Sequence, residues 1–269
     1  MTAPSLQNLK VKLFTDGADK AQIVEMAKNR WIAGFTTNPS LLKKAAVKDY
    51  QAYGRDLVAA VPDRHISFEV FSDDIPEMVA QARVISSWGK HVYTKLPVST
   101  TRGETLYEAV RSLSREGVKI NLTAVFTSEQ VERAIEAFSG GAPSIISVFA
   151  GRMADLGVDY RPIMRDAIAR ARKTSNVEII WASTREVFNV VEADEMGCHI
   201  ITAPADILKK LPALGSKPEP SSRSMRSGHS ARTRLPPACN SRSRPRAPPN
   251  SAAPTVLFAF QIKQFSVIR

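Results

Sequence analysis

From about residue 11 to residue 210 the chain alternates short apolar runs with amphipathic stretches, and this rhythm limits the folds open to it more than any other feature. The apolar runs predict strands over Val11–Thr15, Ala33–Thr36, His65–Phe71, His91–Leu96, Lys119–Thr123, Ser144–Phe149, Val177–Ala182 and His199–Thr202. Helical spacing predicts helices over Lys20–Arg30, Ile75–Ser87, Thr105–Glu116, Ser128–Phe138 and Tyr160–Lys173. In Ser128–Phe138, for instance, Val131, Ile135 and Phe138 share one face, with Ser128 as the expected N-cap. Eight strands, each followed by a helix or helical turn, predict an α/β chain closed into a (β/α)8 TIM barrel. Two crossovers look thin: the segment after Ala33–Thr36 is split by Asp49, and only Ala205–Lys210 follows the last strand. The competing architecture is a doubly wound open sheet. Its glycine-rich phosphate loop is missing, because the first strand–helix turn reads Asp16-Gly17-Ala18.

The rhythm stops near Gly215, which predicts a barrel domain over 1–215 and a tail over 216–269. Ser, Pro and Arg dominate Ser216–Pro249, a composition that cannot bury enough apolar surface to offset its ordering entropy. The tail is therefore expected to be disordered. The chain carries a net charge of +11, and the tail's ten Lys or Arg against one acid, Glu219, account for +9 of it. The body is nearly neutral and offers no whole-surface argument for nucleic acid or an anionic membrane. Cys198 and Cys239 form neither a disulfide framework nor a metal-ligand cluster. The first ten residues lack the apolar stretch of a secretory signal, and no apolar run approaches the roughly 20 residues that cross a bilayer. These features together predict a reduced, cytoplasmic protein.

In a parallel barrel, active sites collect at the C-terminal ends of the strands. The polar residues expected there are Asp16, Thr37, Asn38, Glu69, Lys95, Asn121, Thr123, Ser147, Ser183 and Arg185, with Arg152 in the loop after Ser147. So many inward polar groups are costly unless they face a shared polar cavity. Lys95 ends the apolar run His91-Val92-Tyr93-Thr94-Lys95-Leu96-Pro97, where partial desolvation would disfavour its ammonium form. A free amine there can attack a carbonyl and form a Schiff base. Structural alternatives stand beside each candidate. Asp16 before Gly17 can form an Asx turn and cap a helix. Asn38 before Pro39 can open one. Arg152 and Arg185 can be solvated, or can clamp a phosphate together with Ser183. Glu69 shares a strand face with Ser67, opposite Phe68 and Val70. His65, His91 and His199 lie in strands outside any metal-type spacing, so they read as structural.

Six segments together resemble the transaldolase family, especially its short subfamily related to fructose-6-phosphate aldolase. They are Phe14-Thr15-Asp16, Gly34-Phe35-Thr36-Thr37-Asn38-Pro39-Ser40-Leu41, Thr94-Lys95-Leu96-Pro97, Asn121-Leu122-Thr123, Ser147-Val148-Phe149-Ala150-Gly151-Arg152 and Ala182-Ser183-Thr184-Arg185. The resemblance spans residues 10–210 in the family's order and spacing. It implies a class I aldolase barrel that needs neither metal nor organic cofactor. It also implies a transaldolase of the pentose phosphate pathway, moving a dihydroxyacetone unit from fructose 6-phosphate or sedoheptulose 7-phosphate to an aldose phosphate.

The roles follow from the same resemblance. Lys95 would form the Schiff base, and Asp16 would shuttle the proton of the sugar hydroxyl. Glu69 and Thr123 would hold the water of carbinolamine formation and dehydration. Asn38, Asn121 and Ser147 would bind the dihydroxyacetone portion and the imine. Arg152, Ser183 and Arg185 would hold the phosphate. Glu69 in place of a glutamine and Phe149 in place of a tyrosine resemble true transaldolases more than the aldolase branch, which releases free dihydroxyacetone. Val148, where the family usually has proline, and Gly17 depart from its pattern. So does the tail, which replaces the family's last helix and weakens any transfer of its homo-oligomeric assembly. A non-catalytic barrel that holds RNA or anionic lipid through its basic tail is the reading from another class.

Overall fold

The computed structural model describes residues 5–216, and the predicted tail from residue 217 on lies outside the described residues. Eight parallel strands close into a barrel in sequence order: β1 (Lys12–Asp16), β2 (Ile32–Thr36), β3 (His65–Glu69), β4 (Val92–Pro97), β5 (Ile120–Val125), β6 (Ser144–Val148), β7 (Val177–Trp181) and β8 (Ile200–Pro204), with β8 pairing back onto β1. The helices are α1 (Lys20–Ala27), α2 (Pro39–Lys44), α3 (Tyr50–Ala60), α4 (Ile75–Ser86), α5 (Tyr107–Arg115), α6 (Ser128–Phe138), α7 (Ala150–Asp155), α8 (Arg161–Ala171), α9 (Phe188–Glu195) and α10 (Ala205–Leu208). The expected TIM barrel is what forms, and the open-sheet alternative is excluded by the β1–β8 ladder.

Strand alternation separates two cores. Outward residues such as Phe35, Phe68, Leu122, Ile146 and Trp181 are buried against the helices. Each contributes about 1.5–3 kcal/mol by leaving water. A smaller cluster of Phe14, Tyr93, Ile145, Ile180, Ala182 and Ile200, with Ala33 and Phe149 against it, fills the barrel interior. The next inward residue along β1, β4, β6 and β8 is polar: Asp16, Lys95, Ser147 and Thr202. The interior is therefore apolar in the middle and polar at the mouth.

The thin crossovers have local explanations. Asp49 splits the β2–β3 connection because its side chain accepts from the Ala52 N–H and starts α3 as a separate helix. The N-cap of α6 is Thr127, one residue before the expected Ser128. Its hydroxyl accepts from the Gln130 N–H, and the Gln130 side chain reaches back to the Thr127 N–H in a capping box.

Candidate active site

Register brings the polar ends together. Glu69 pairs with Lys95 across β3–β4, and Lys95 with Asn121 across β4–β5. On the other side, Asp16 pairs with Thr36, and Thr36 with Ser67. Paired residues on neighbouring parallel strands face the same way, so these side chains enter one space. Lys95 is only 8% exposed. Its Nζ lies 2.9 Å from Glu69 Oε2 and donates to the Thr37 carbonyl at 3.2 Å. Thr37 is in turn pinned, its hydroxyl donating to the Ser67 carbonyl at 3.0 Å. The amine thus sits in a fixed position with one carboxylate as its ionic partner.

Asp16 stands at the same end. The Thr36 hydroxyl donates to its Oδ1 at 2.9 Å and lies 2.6 Å from the Thr202 hydroxyl. Burial raises the Asp16 pKa above its ordinary value. The Lys95 charge and the Thr36 hydrogen bond oppose that rise, and Glu69 adds to it. A carboxyl raised in this way is a better proton acceptor than an ordinary aspartate. The Asx-cap alternative for Asp16 does not occur. The residue that caps α1 is Asp19, which accepts from the Gln22 N–H at 2.7 Å.

On the β5–β6 side a buried chain runs through three residues. The Ser147 hydroxyl donates to Asn121 Oδ1 at 2.7 Å, and Asn121 Nδ2 donates to Ser67 Oγ at 3.0 Å. These bonds hold the amide between the two hydroxyls. Thr123, also inward, is 2% exposed, and its hydroxyl has no partner among the described residues. Just beyond it the ladder is irregular, and Ala124 takes φ +61°. A buried hydroxyl without a partner is costly, so this one lacks a structural reason within the described residues.

The residues expected to clamp a phosphate are only partly assembled. Arg152 lies half-buried with its guanidinium 5.0 Å from the centre of the Phe149 ring, and it has no ion-pair partner among the described residues. Burial, and then the charge of Arg185, lowers its pKa from the usual value, against the pull of Glu69 and Asp155. Ser183 occupies the left-handed region at φ +66°. The α7 backbone approaches it so closely that a Cβ on Gly151 would stand 1.6 Å from the Ser183 carbonyl oxygen. Arg185 is exposed and turned onto Asp155. Asn38 uses its side-chain oxygen to accept the Leu41 N–H at 3.0 Å and cap α2, which is its structural alternative, and so only its Nδ2 remains to reach a ligand. The histidines lie elsewhere: His65 and His91 stack at 5.6 Å at the opposite end, and His199 accepts from the Ile179 N–H.

Comparison with known proteins gives the family. The profile of the transaldolase/fructose-6-phosphate aldolase family matches residues 13–236. The chain belongs to this family. A relative from Dehalococcoides mccartyi named "Probable transaldolase" is 31% identical over 202 residues, covering 75% of this chain and 90% of that one. Another of the same name from a Thermoanaerobacter species is 35% identical, covering 75% and 89%. Among solved structures, 2,3-dimethylmalate lyase matches with a TM-score of 0.51 at 14% identity over 78% of this chain and 81% of that one, which speaks for the barrel fold alone. Among the described residues no helix is long and apolar enough to cross a membrane. Nor does any group of three His, Cys, Asp or Glu side chains there come together to hold a metal ion.

Sequence reasoning did not single out Thr36, Thr202 or Ser67 as members of this transaldolase-family site. For two of them the signal is parity. Ser67 lies two residues from inward Glu69 and Thr202 two from inward Ile200, while Thr36 is the register partner of Asp16.

Proposed function

We propose that the chain is a transaldolase acting through a Schiff base on Lys95. The observation that carries this reading is the buried 2.9 Å pair of Lys95 and Glu69 at the same barrel end as Asp16. Proton transfer from the Lys95 ammonium to the Glu69 carboxylate releases an amine that attacks C2 of a ketose phosphate. A water seated between Glu69 and the unpartnered Thr123 hydroxyl relays the protons of carbinolamine formation and dehydration. The protonated imine is an electron sink. The C3–C4 bond then breaks, its electrons move into the imine, and the C4 hydroxyl gives its proton to the Asp16 carboxylate. An aldose phosphate leaves, and an enamine stays on Lys95. Addition to a second aldose phosphate reverses these steps and takes the proton back from Asp16.

Asn38 Nδ2 and the Asn121–Ser147 pair hold the three-carbon unit, beside the Phe149 ring. Arg152, Ser183 and Arg185 hold the phosphate. The donors are fructose 6-phosphate or sedoheptulose 7-phosphate, and the setting is the pentose phosphate pathway.

Borohydride reduction of the full chain with fructose 6-phosphate, followed by peptide mapping, tests the central step. The expected result is a sugar adduct on Lys95 that is absent in Lys95→Met. Trapping that persists in Lys95→Met sinks the assignment. Donor cleavage should also need an acceptor aldehyde, and cleavage at full rate without one would mean an aldolase releasing dihydroxyacetone.

A further inference from the structure

A recess of about 320 Å³ opens at the barrel's other end, between α3 and the connection from α4 to β4. Its size falls within the range of small-molecule sites. Arg55, Arg64 and Lys90 line it together with His91, and no carboxylate does. None of the three cations has an ion-pair partner among the described residues. Three like charges around one hollow repel each other unless an anion joins them.

Two buried donors on residues that line the recess also lack partners. Arg64 Nη2 donates to the Ala27 carbonyl at 3.2 Å, but its Nε is buried without a partner. Trp88 Nε1 is buried without one as well. Buried donors of this kind need an acceptor. Val58 and the Trp88 ring supply an apolar wall. The ring is seated there by Gly54, because a Cβ on Gly54 would meet Trp88 Cζ3 at 2.2 Å.

We propose that this recess is a second anion site taking a small phosphate monoester. The phosphate sits among Arg55, Arg64 and Lys90, where a guanidinium fork matches its oxygens. The organic part lies on Val58 and Trp88. Ile66 and Val92 line the recess near the starts of β3 and β4, whereas Glu69 and Lys95 lie toward the ends of those strands. The ligand therefore binds away from the mouth and does not exclude substrate. The inference is independent of what the mouth catalyses.

The test uses the full chain, 15N-labelled. Its three tryptophans give three indole signals, and Trp88→Phe assigns one of them. Phenyl phosphate is titrated at constant ionic strength, with inorganic phosphate as a second probe. The Trp88 signal should move saturably, and more tightly with phenyl phosphate than with inorganic phosphate. Lys90→Gln and Arg64→Gln should each weaken binding by about tenfold, as expected for loss of one charge-assisted contact. Lys90 is exposed, so its replacement leaves the fold intact if Arg64→Gln does not. Arg152→Gln should leave the Trp88 titration unchanged. The proposal is overturned by a Trp88 signal that does not saturate, by equal affinity in Lys90→Gln, or by a response that disappears in Arg152→Gln.

Discussion

Arg185 is held by Asp155: its Nη2 lies 2.6 Å from Oδ2, and its Nε donates to both carboxylate oxygens at 3.1 and 3.0 Å. The same contact lowers the Asp155 pKa. A guanidinium occupied by a carboxylate is not free for a phosphate, so the two anions compete. Asp155→Asn should release Arg185 and lower KM for a sugar-phosphate donor by up to about fivefold, the range of an exposed ion pair. The kcat should stay near its original value. Steady-state kinetics check this, and an unchanged KM would mean Arg185 plays no part in holding phosphate.

Asp16 sets stability against chemistry. Its carboxyl is raised in the folded chain above the ordinary value of 3.8. The folded state therefore binds that proton more tightly than the unfolded one. Asp16 is stability-neutral below pH 3.8 and costs stability as pH climbs through its raised value. Asp16→Asn should be inactive yet melt higher at pH 7, and the gain should shrink toward zero near pH 3.8. Thermal unfolding across pH measures it, and a variant that melts lower at pH 7 would contradict it.

Thr123 offers a related separation. Replacing its unpartnered hydroxyl in Thr123→Val removes a buried unsatisfied group at nearly constant volume, so the fold should be unchanged or slightly more stable. If the hydroxyl seats the water of imine formation, kcat should fall on the order of tenfold or more. Unfolding curves and single-turnover rates together decide this, since a fall in both would point to a purely structural side chain.

Gly151 lies where α7 meets the segment after β7. Gly151→Ala forces a Cβ against the Ser183 carbonyl and should cost about 1–3 kcal/mol as an overpacked contact. Ser183 would be pushed out of place. KM should rise for fructose 6-phosphate and remain steady for unphosphorylated fructose, a comparison that tells loss of the anion contact from general damage.

The barrel was legible because its outer strand faces must be continuously apolar and its helices must not, and that contrast survives in Ile120–Val125 and Ser128–Phe138 alike. Helical spacing did not give helix α9 its bounds. It buries Asn189 and Glu192 and leaves Phe188 58% exposed, the reverse of an amphipathic pattern. Glu192 is tolerated there because Tyr160, Arg161 and Asn189 all donate to it, two of them from another helix or its cap. Such compensation crosses the fold and leaves no local trace. The same holds for Arg185: its position along the chain places it at the mouth, but only three dimensions place Asp155 beside it. Lys95, Asp16 and Glu69 could be found since a charge on an inward strand position is conspicuous, whereas the Thr36 and Thr202 hydroxyls look like any other strand threonine.

The plug of Phe14, Tyr93, Ile145, Ile180 and Ile200 across the barrel's waist makes the vessel a cup instead of a tube. Whatever reacts at the mouth enters and departs through a single doorway.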